Sequence, residues 1–121
     1  MKILIADDDR IFISLMVDIL SDAGYGVLQA ENGLVAWERL QAEGADLLVM
    51  DVTMPEMDGI ELLKLIRADE RFAKLPVLVL TIGFRAKDIV QEFDPAVTDY
   101  LTKPFDVDDL LVKVKQMLQV Q

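Results

Sequence analysis

The sequence contains no cysteine and no histidine, and these two absences exclude several classes of chemistry. Without cysteine there is no disulfide framework and no thiolate site, so we expect a reducing compartment, the cytoplasm. Without histidine, neither a Ser-His-Asp nor a Cys-His nucleophile system can be built, and the usual zinc ligand sets are missing. Any chemistry must use carboxylates, lysine, hydroxyls and the backbone, a set that suits a hard cation such as Mg²⁺.

Basic residues and long apolar runs are also scarce. Only 12 Lys and Arg stand against 22 Asp and Glu, which gives a formal net charge of −10. This balance argues against nucleic-acid binding by the domain, because phosphate contacts need Lys and Arg. No apolar run is long enough to span a bilayer and no signal-peptide layout begins the chain, so we expect no membrane contact. The 121 residues suit one domain, 1–121, with a single core.

One stretch, LLVMDVTMPEMDG at 47–59, has a pattern around which the chain can be organised. Four apolar residues lead directly into Asp51, and a proline and an Asp-Gly pair follow. A short apolar run bounded by turn residues is typical of a strand buried on both faces in a parallel sheet. Asp51 would then lie at the carboxyl end of a central strand, where open α/β sheets bind ligands. Taken alone, Asp51 fits equally well a strand end satisfied by a neighbouring N–H.

Strand and helix patterns alternate along the whole chain. Predicted strands cover 2–6, 26–30, 47–51, 76–81 and 97–101. Predicted helices cover 10–23, 33–44, 58–66, 86–93 and 106–118. Strict alternation with short connections predicts a parallel sheet covered on both faces by right-handed crossovers. The fold class is therefore a doubly wound α/β sandwich of three layers.

The carboxyl ends of the predicted strands supply the candidate site residues, which are Asp7, Asp8, Asp9, Asp51, Thr81 and Lys103. Asp9, and to a lesser degree Asp8, also fits a helix cap, and Thr81 or Lys103 alone would be an ordinary strand or loop residue. Carboxylates gathered at one edge raise one another's pKa values unless a cation lies among them, and Mg²⁺ suits such a site. A lysine and a hydroxyl beside them would stabilise a phosphoryl group during its transfer to Asp51, the attacking carboxylate.

Four motifs carry a family resemblance: IADDD at 5–9, MDVTMPEMDG at 50–59, LT at 80–81 and DYLTKPF at 99–105. The chain resembles, over its whole length, the receiver domains of bacterial two-component response regulators. The resemblance implies a flavodoxin-like (βα)5 fold with strand order 2-1-3-4-5. It also implies that Asp51 is the phosphoacceptor for phosphohistidine on a sensor histidine kinase or a phosphotransfer protein.

The resemblance further assigns the metal ligands. Asp8, Asp51 and the backbone carbonyl of Thr53 would bind Mg²⁺, or Mn²⁺ in its place, and Asp7 would do so chiefly through water. Lys103 would contact the phosphoryl oxygens, with a cis peptide to the following proline.

A two-state switch is implied as well. Thr81 would move toward the phosphoryl group while Tyr100 rotates inward, which reshapes the face of the fourth helix, fifth strand and fifth helix for a downstream protein partner or effector domain. Such a domain is not an enzyme, since it assists only its own phosphorylation and dephosphorylation.

Three positions depart from the commoner family pattern. Ile82 replaces a small residue, and we expect its bulk to slow labelling by small phosphodonors and to alter dephosphorylation. Pro95, after Asp94, should fix the exit from the fourth helix. The Thr53 side chain is expected to tune hydrolysis.

The first predicted helix is apolar around most of its circumference. Phe12 and Ile13 lie next to the acidic edge, and we expect them to form part of an exposed docking patch for the kinase. The alternative is that this helix is merely well buried.

Two rival functions stay open from the sequence. A receiver fold used only for docking would never be phosphorylated, although Asp8, Asp51, Thr81 and Lys103 together argue against it. A Mg²⁺-dependent aspartate-nucleophile phosphatase is disfavoured, because Thr53 stands where that class needs a second acid. A nucleotide-binding module is excluded by the absence of GxxxxGK and GxGxxG. Whether the chain is a free-standing regulator or part of a longer one is left open.

Overall fold

The computed structural model of the protein describes residues 1–52, 54, 56–82, 88 and 91–119. The strands are β1 (Lys2–Ala6), β2 (Gly26–Ala30), β3 (Leu47–Asp51), β4 (Val77–Thr81) and β5 (Thr98–Thr102). The helices among these residues are α1 (Arg10–Asp22), α2 (Gly33–Glu43), α3 (Gly59–Ala68) and α4 (Val107–Gln119). Helix α4 is the fifth predicted helix, whereas the fourth, 86–93, lies largely outside the described residues. In the described part of the chain, no helix combines the length and apolar character needed to cross a membrane.

The five strands form one parallel sheet in the order β2-β1-β3-β4-β5, which confirms the predicted order and fold class. Alternate residues of the central strands point to opposite faces. In β3, Leu48 and Met50 join the core on the side of α2 and α3, while Leu47 and Val49 join the core on the side of α1 and α4. The continuous apolar runs in the sequence are therefore explained by burial on both faces.

Helices α1, α2 and α3 begin directly after Asp9, Asn32 and Asp58, at or within one residue of the predicted helix starts. Each side chain accepts a hydrogen bond from a backbone N–H two or three residues further on, at 2.8–3.1 Å. These bonds satisfy N–H groups that have no partner inside the helix. Asp106 accepts in the same way from the N–H of Asp108 at 2.8 Å.

Two details of the C-terminal third differ from prediction. Strand β5 begins one residue later than expected, because the N–H of Val97 donates to the carbonyl of Asp94 at 3.2 Å in a turn instead of joining the strand. The helical spacing of Val107, Leu110 and Val114 predicts one buried stripe, yet Val107 is exposed at the first turn of α4. Met117 is buried on this helix beside Val114 and completes the apolar stripe. The predicted effect of Pro95 on the fourth helix stays a prediction.

Arg67, near the end of α3, connects three segments at the amino edge of the sheet. Its Nη1 donates to the carbonyl of Leu75 at 2.7 Å, ahead of β4. Its Nη2 donates to the carbonyl of Val97 and to Oγ1 of Thr98, both at 2.9 Å, at the start of β5. Burial lowers the pKa of Arg67 from its ordinary value. One partly buried guanidinium thus satisfies several backbone carbonyls of the loops that precede β4 and β5.

Candidate functional site

Strand register brings the predicted site residues to one edge of the sheet. Strand β1 pairs with β3 so that Ala6 lies opposite Met50, and the residues that follow are Asp7 and Asp51. The carboxylates of Asp7, Asp8 and Asp51 each offer an oxygen, and these oxygens all lie within 4.8 Å of one another. The structure therefore contains the acidic cluster that the sequence predicts.

Asp7 is the buried member of this cluster, with only 1% of its surface exposed. Its Oδ1 accepts a hydrogen bond from the N–H of Asp9 at 2.9 Å, and its Oδ2 lies 3.1 Å from Nζ of Lys103. Burial raises the pKa of Asp7 above its ordinary value, because a charged carboxylate loses hydration there, although both of these contacts oppose the rise. A cation bound beside Asp7 would offset this loss of hydration, so the buried carboxylate favours cation binding.

Lys103 directly follows the last residue of β5 and lies beside Asp51. Its Nζ is 3.5 Å from Oδ2 of Asp51, and its backbone N–H donates to the carbonyl of Thr81 at 2.8 Å. The Lys103–Pro104 peptide is cis, which confirms the prediction. The amine and the candidate nucleophile therefore share one site.

Asp8 and Asp9 have different surroundings although both are exposed. Asp8 contributes a carboxylate oxygen to the acidic cluster, whereas Asp9 caps α1. Three carboxylates, one buried and two more open, form a donor set that fits Mg²⁺, which prefers oxygen ligands and keeps several waters. Thr53, whose carbonyl is the remaining predicted ligand, lies outside the described residues.

Close backbone packing holds the segment after Asp51. The N–H of Gly59 donates to the carbonyl of Val52 at 2.8 Å. A Cβ at position 59 would lie 2.5 Å from the carbonyl oxygen of Asp51, so only glycine allows α3 to begin this close to the end of β3.

Thr81 and Tyr100, the predicted switch residues, lie on adjacent strands. Thr81 is the last residue of β4, is buried, and donates from Oγ1 to the carbonyl of Ile82 at 3.4 Å. Tyr100 is partly buried and packs against the core on the side of α2 and α3. Their movement on activation stays a prediction.

The two predicted docking residues on α1, Phe12 and Ile13, differ in burial. Ile13 is only 4% exposed and belongs to the core with Met16 and Leu20, so its assignment to an exposed patch is wrong. Its position fits the inward stripe of the helix, at i, i+3 and i+7. Phe12 is partly buried, whereas Ile11 and Leu15 are exposed. No sequence signal singles out these two exposed residues, because α1 carries apolar residues on several sides.

An apolar groove of about 410 Å³ lies between α1 and the segment after β5. We call it the α1 groove, and its lining includes Phe12, Leu15, Ile82, Pro104, Phe105 and Val107. The side chain of Lys103 also borders this groove. The α1 groove thus adjoins the acidic cluster.

Comparison with known proteins identifies the family. The model of the response regulator receiver domain matches residues 3–115. A putative response regulator from Chloroflexus aurantiacus has a crystal structure with a TM-score of 0.90 and 34% identity, covering 98% of this chain and 97% of that one. The signal receiver domain of a histidine kinase from Syntrophus aciditrophicus has a TM-score of 0.87 and 32% identity, covering 98% and 89%. The protein belongs to the receiver domains of two-component response regulators.

Its sequence relatives differ in length. Chemotaxis protein CheY1 of Helicobacter pylori is 36% identical, over 98% of this chain and 97% of its own length. The DNA-binding dual master transcriptional regulator RpaA of Synechocystis is 40% identical, over 98% of this chain but only 49% of its own length. The chain therefore spans about half of RpaA and nearly all of CheY1.

Proposed function

We propose that residues 1–121 act as a signalling receiver that accepts a phosphoryl group on Asp51 from phosphohistidine of a sensor histidine kinase or a phosphotransfer protein. The observation that carries the proposal is the distance of 3.5 Å between Nζ of Lys103 and Oδ2 of Asp51, beside two further carboxylates. An attacking carboxylate needs a neighbouring positive charge, because the incoming phosphoryl oxygens are anionic.

The chemistry assigns one task to each residue. An Asp51 oxygen attacks phosphorus, a P–O bond forms, and the P–N bond to histidine breaks with its electron pair returning to the imidazole. Lys103 contacts the phosphoryl oxygens with its ammonium. Mg²⁺ or Mn²⁺, held by Asp8, Asp51 and the Thr53 carbonyl and through water by Asp7, would supply further charge neutralisation at those oxygens.

The signal then passes to the face formed by the fourth predicted helix (86–93), β5 and α4. Thr81 turns its hydroxyl toward the new phosphoryl group, and Tyr100 moves inward into the space next to it. The altered surface around β5 and α4 would bind a downstream protein or an effector domain. In this role the chain is a cytoplasmic signalling component and not an enzyme with its own substrate.

The α1 groove is the surface that we assign to the kinase or phosphotransfer protein. It is apolar and is bordered by Lys103, whose Nζ lies 3.5 Å from Oδ2 of Asp51, and an incoming histidine must approach that edge of the sheet. Phe12 keeps its predicted docking role, with Leu15 taking the place of Ile13. Exposed apolar surface beside a reactive group is typical of an interaction site.

Intact-mass measurement after incubation with a small phosphodonor and Mg²⁺ tests the proposal. We expect one labile phosphoryl group per chain, formed only when the metal is present. No mass gain under any condition would favour a receiver fold used solely for docking. Continuous hydrolysis of added phosphoesters, without a trapped phosphoryl group, would favour the phosphatase.

Magnesium is expected to stabilise the fold, because a cation that relieves carboxylate repulsion binds the folded state. At a Mg²⁺ concentration of ten times Kd, the melting temperature should rise by roughly 5 °C. Asp8→Asn should reduce this shift to near zero, while Asp18→Asn, an exposed change elsewhere on α1, should retain it. Equal shifts in both variants, measured by thermal unfolding with and without Mg²⁺, would remove Asp8 from the ligand set.

Replacing Ile82 tests its predicted effect on access to Asp51. This side chain is 81% exposed and lines the α1 groove. Ile82→Ala is expected to speed labelling by acetyl phosphate severalfold and to change the lifetime of the phosphoryl group. Labelling rates and lifetimes indistinguishable from those of the original chain would show that its bulk does not limit access.

A further inference from the structure

Lys103 has a third contact besides the two carboxylates. Its Nζ lies over the face of the Phe12 ring, 4.0 Å from the ring centroid. Only 18% of the lysine side chain is exposed, so water weakens this contact less than it would at an open surface. An ammonium over an aromatic face is attracted by the negative potential of that face.

Two contacts hold Phe12 and its ring in place. The N–H of Phe12 donates to the Asp9 side chain at 3.1 Å, which places the residue in the capped first turn of α1. Its ring packs edge-on against Phe105, with centroids 6.1 Å apart and planes at 82°. Phe105 is two residues after Lys103, so the aromatic pair connects α1 to the segment that carries the lysine.

The neutral Phe12 ring can hold the Lys103 ammonium in place throughout the reaction, whereas the carboxylates of Asp7 and Asp51 cannot. A lysine has four rotatable side-chain bonds and a compact charge, so its position depends on its contacts. In the proposed reaction, a cation and a phosphoryl group would arrive beside Asp7 and Asp51 and compete with Lys103 for these carboxylates. The Phe12 face carries no net charge and does not titrate, so it can hold the ammonium in place during that competition.

We propose that Phe12 is a positioning residue, the ring face of which holds the Lys103 ammonium where it meets the incoming phosphoryl group. This role rests on the proposed phosphoacceptor function of Asp51. It is separate from any contact of Phe12 with a kinase, because it acts within the receiver itself.

Labelling by a small phosphodonor separates the two roles, since acetyl phosphate has no protein surface to dock. Phe12→Leu should lower the labelling rate at saturating Mg²⁺ by roughly threefold to tenfold, as expected for loss of a partly desolvated cation–π contact. Phe12→Tyr retains an aromatic face and should stay within about twofold of the original chain. Phe72→Leu is the matched control: this ring packs against Trp37, lies in the other core, and should leave the rate unchanged.

Proton NMR of the Lys103 side chain supplies a readout that does not depend on phosphorylation. Protons above a ring face are shifted upfield by the ring current. We expect upfield ε-methylene signals in the original chain and in Phe12→Tyr, and ordinary positions in Phe12→Leu with an otherwise preserved spectrum. Ordinary positions in the original chain would overturn the proposal.

The labelling and NMR measurements also distinguish failure of the role proposed for Phe12 from failure of the phosphoacceptor function proposed for Asp51. If the original chain takes up phosphate and Phe12→Leu does so at the same rate, Phe12 does not position Lys103, although Asp51 remains the acceptor. If the original chain takes up none while the upfield signals are present, the contact exists but the phosphoacceptor function fails, and the proposed role fails with it.

Discussion

Asp51→Asn is expected to abolish phosphoryl uptake completely. The amide has nearly the shape of the carboxylate but is a far weaker nucleophile, so the packing at the end of β3 is preserved while the reaction is lost. Intact mass after incubation with acetyl phosphate and Mg²⁺ measures the result. The original chain should gain one phosphoryl group under the same conditions.

Asp58→Asn provides the matched control for this change. Asp58 caps α3 by accepting from the N–H of Glu61 at 2.9 Å, and asparagine is an equally good cap. We expect this variant to be labelled normally. Uptake by Asp51→Asn at the original stoichiometry would show that another residue accepts the phosphoryl group.

Arg67→Met is expected to lower the free energy of unfolding by about 3 kcal/mol, because buried carbonyls of two loops lose charged donors. The carbonyls of Leu75 and Val97 and the hydroxyl of Thr98 are the groups most directly affected. Methionine fills much of the volume of arginine, so the loss reports hydrogen bonding more than packing. Urea denaturation at neutral pH gives the free energy.

Two further variants identify the cause. Arg67→Lys retains the charge but has a single nitrogen, so it should recover only part of the stability. Arg71→Met removes an exposed arginine that pairs with Asp69 at 2.7 Å, and such surface pairs contribute little to stability because water screens them. If Arg67→Met destabilises the protein no more than Arg71→Met does, the hydrogen bonds of Arg67 contribute no more to the free energy of unfolding than an exposed ion pair does.

Much of the fold follows from local patterns in the sequence. The runs at 47–50 and 77–80 are apolar without alternation because both faces of β3 and β4 are covered. Parallel strands then place Asp7, Asp51 and Lys103 at one edge. The strand order came from the family resemblance, since alternation alone does not determine which strands are neighbours.

Packing between distant segments could not be predicted in this way. Helix α1 is apolar on several sides, so its sequence did not show that Ile13 faces the core while Ile11 and Leu15 face outward. That choice depends on how α1 lies against the sheet beside α4. The contacts of Arg67 with Thr98 and of Phe12 with Lys103 join residues far apart in the chain, and no local pattern indicates either one.

Identifying the residue that carries the phosphoryl group tests the role of Asp51 without relying on any variant. Borohydride reduces an acyl phosphate of aspartate to homoserine, which peptide mass spectrometry locates after labelling with acetyl phosphate and Mg²⁺. We predict homoserine at position 51, with Asp7 and Asp8 unchanged. Reduction at either of those carboxylates, or a phosphate on a hydroxyl that resists borohydride, would show that Asp51 is not the phosphoacceptor.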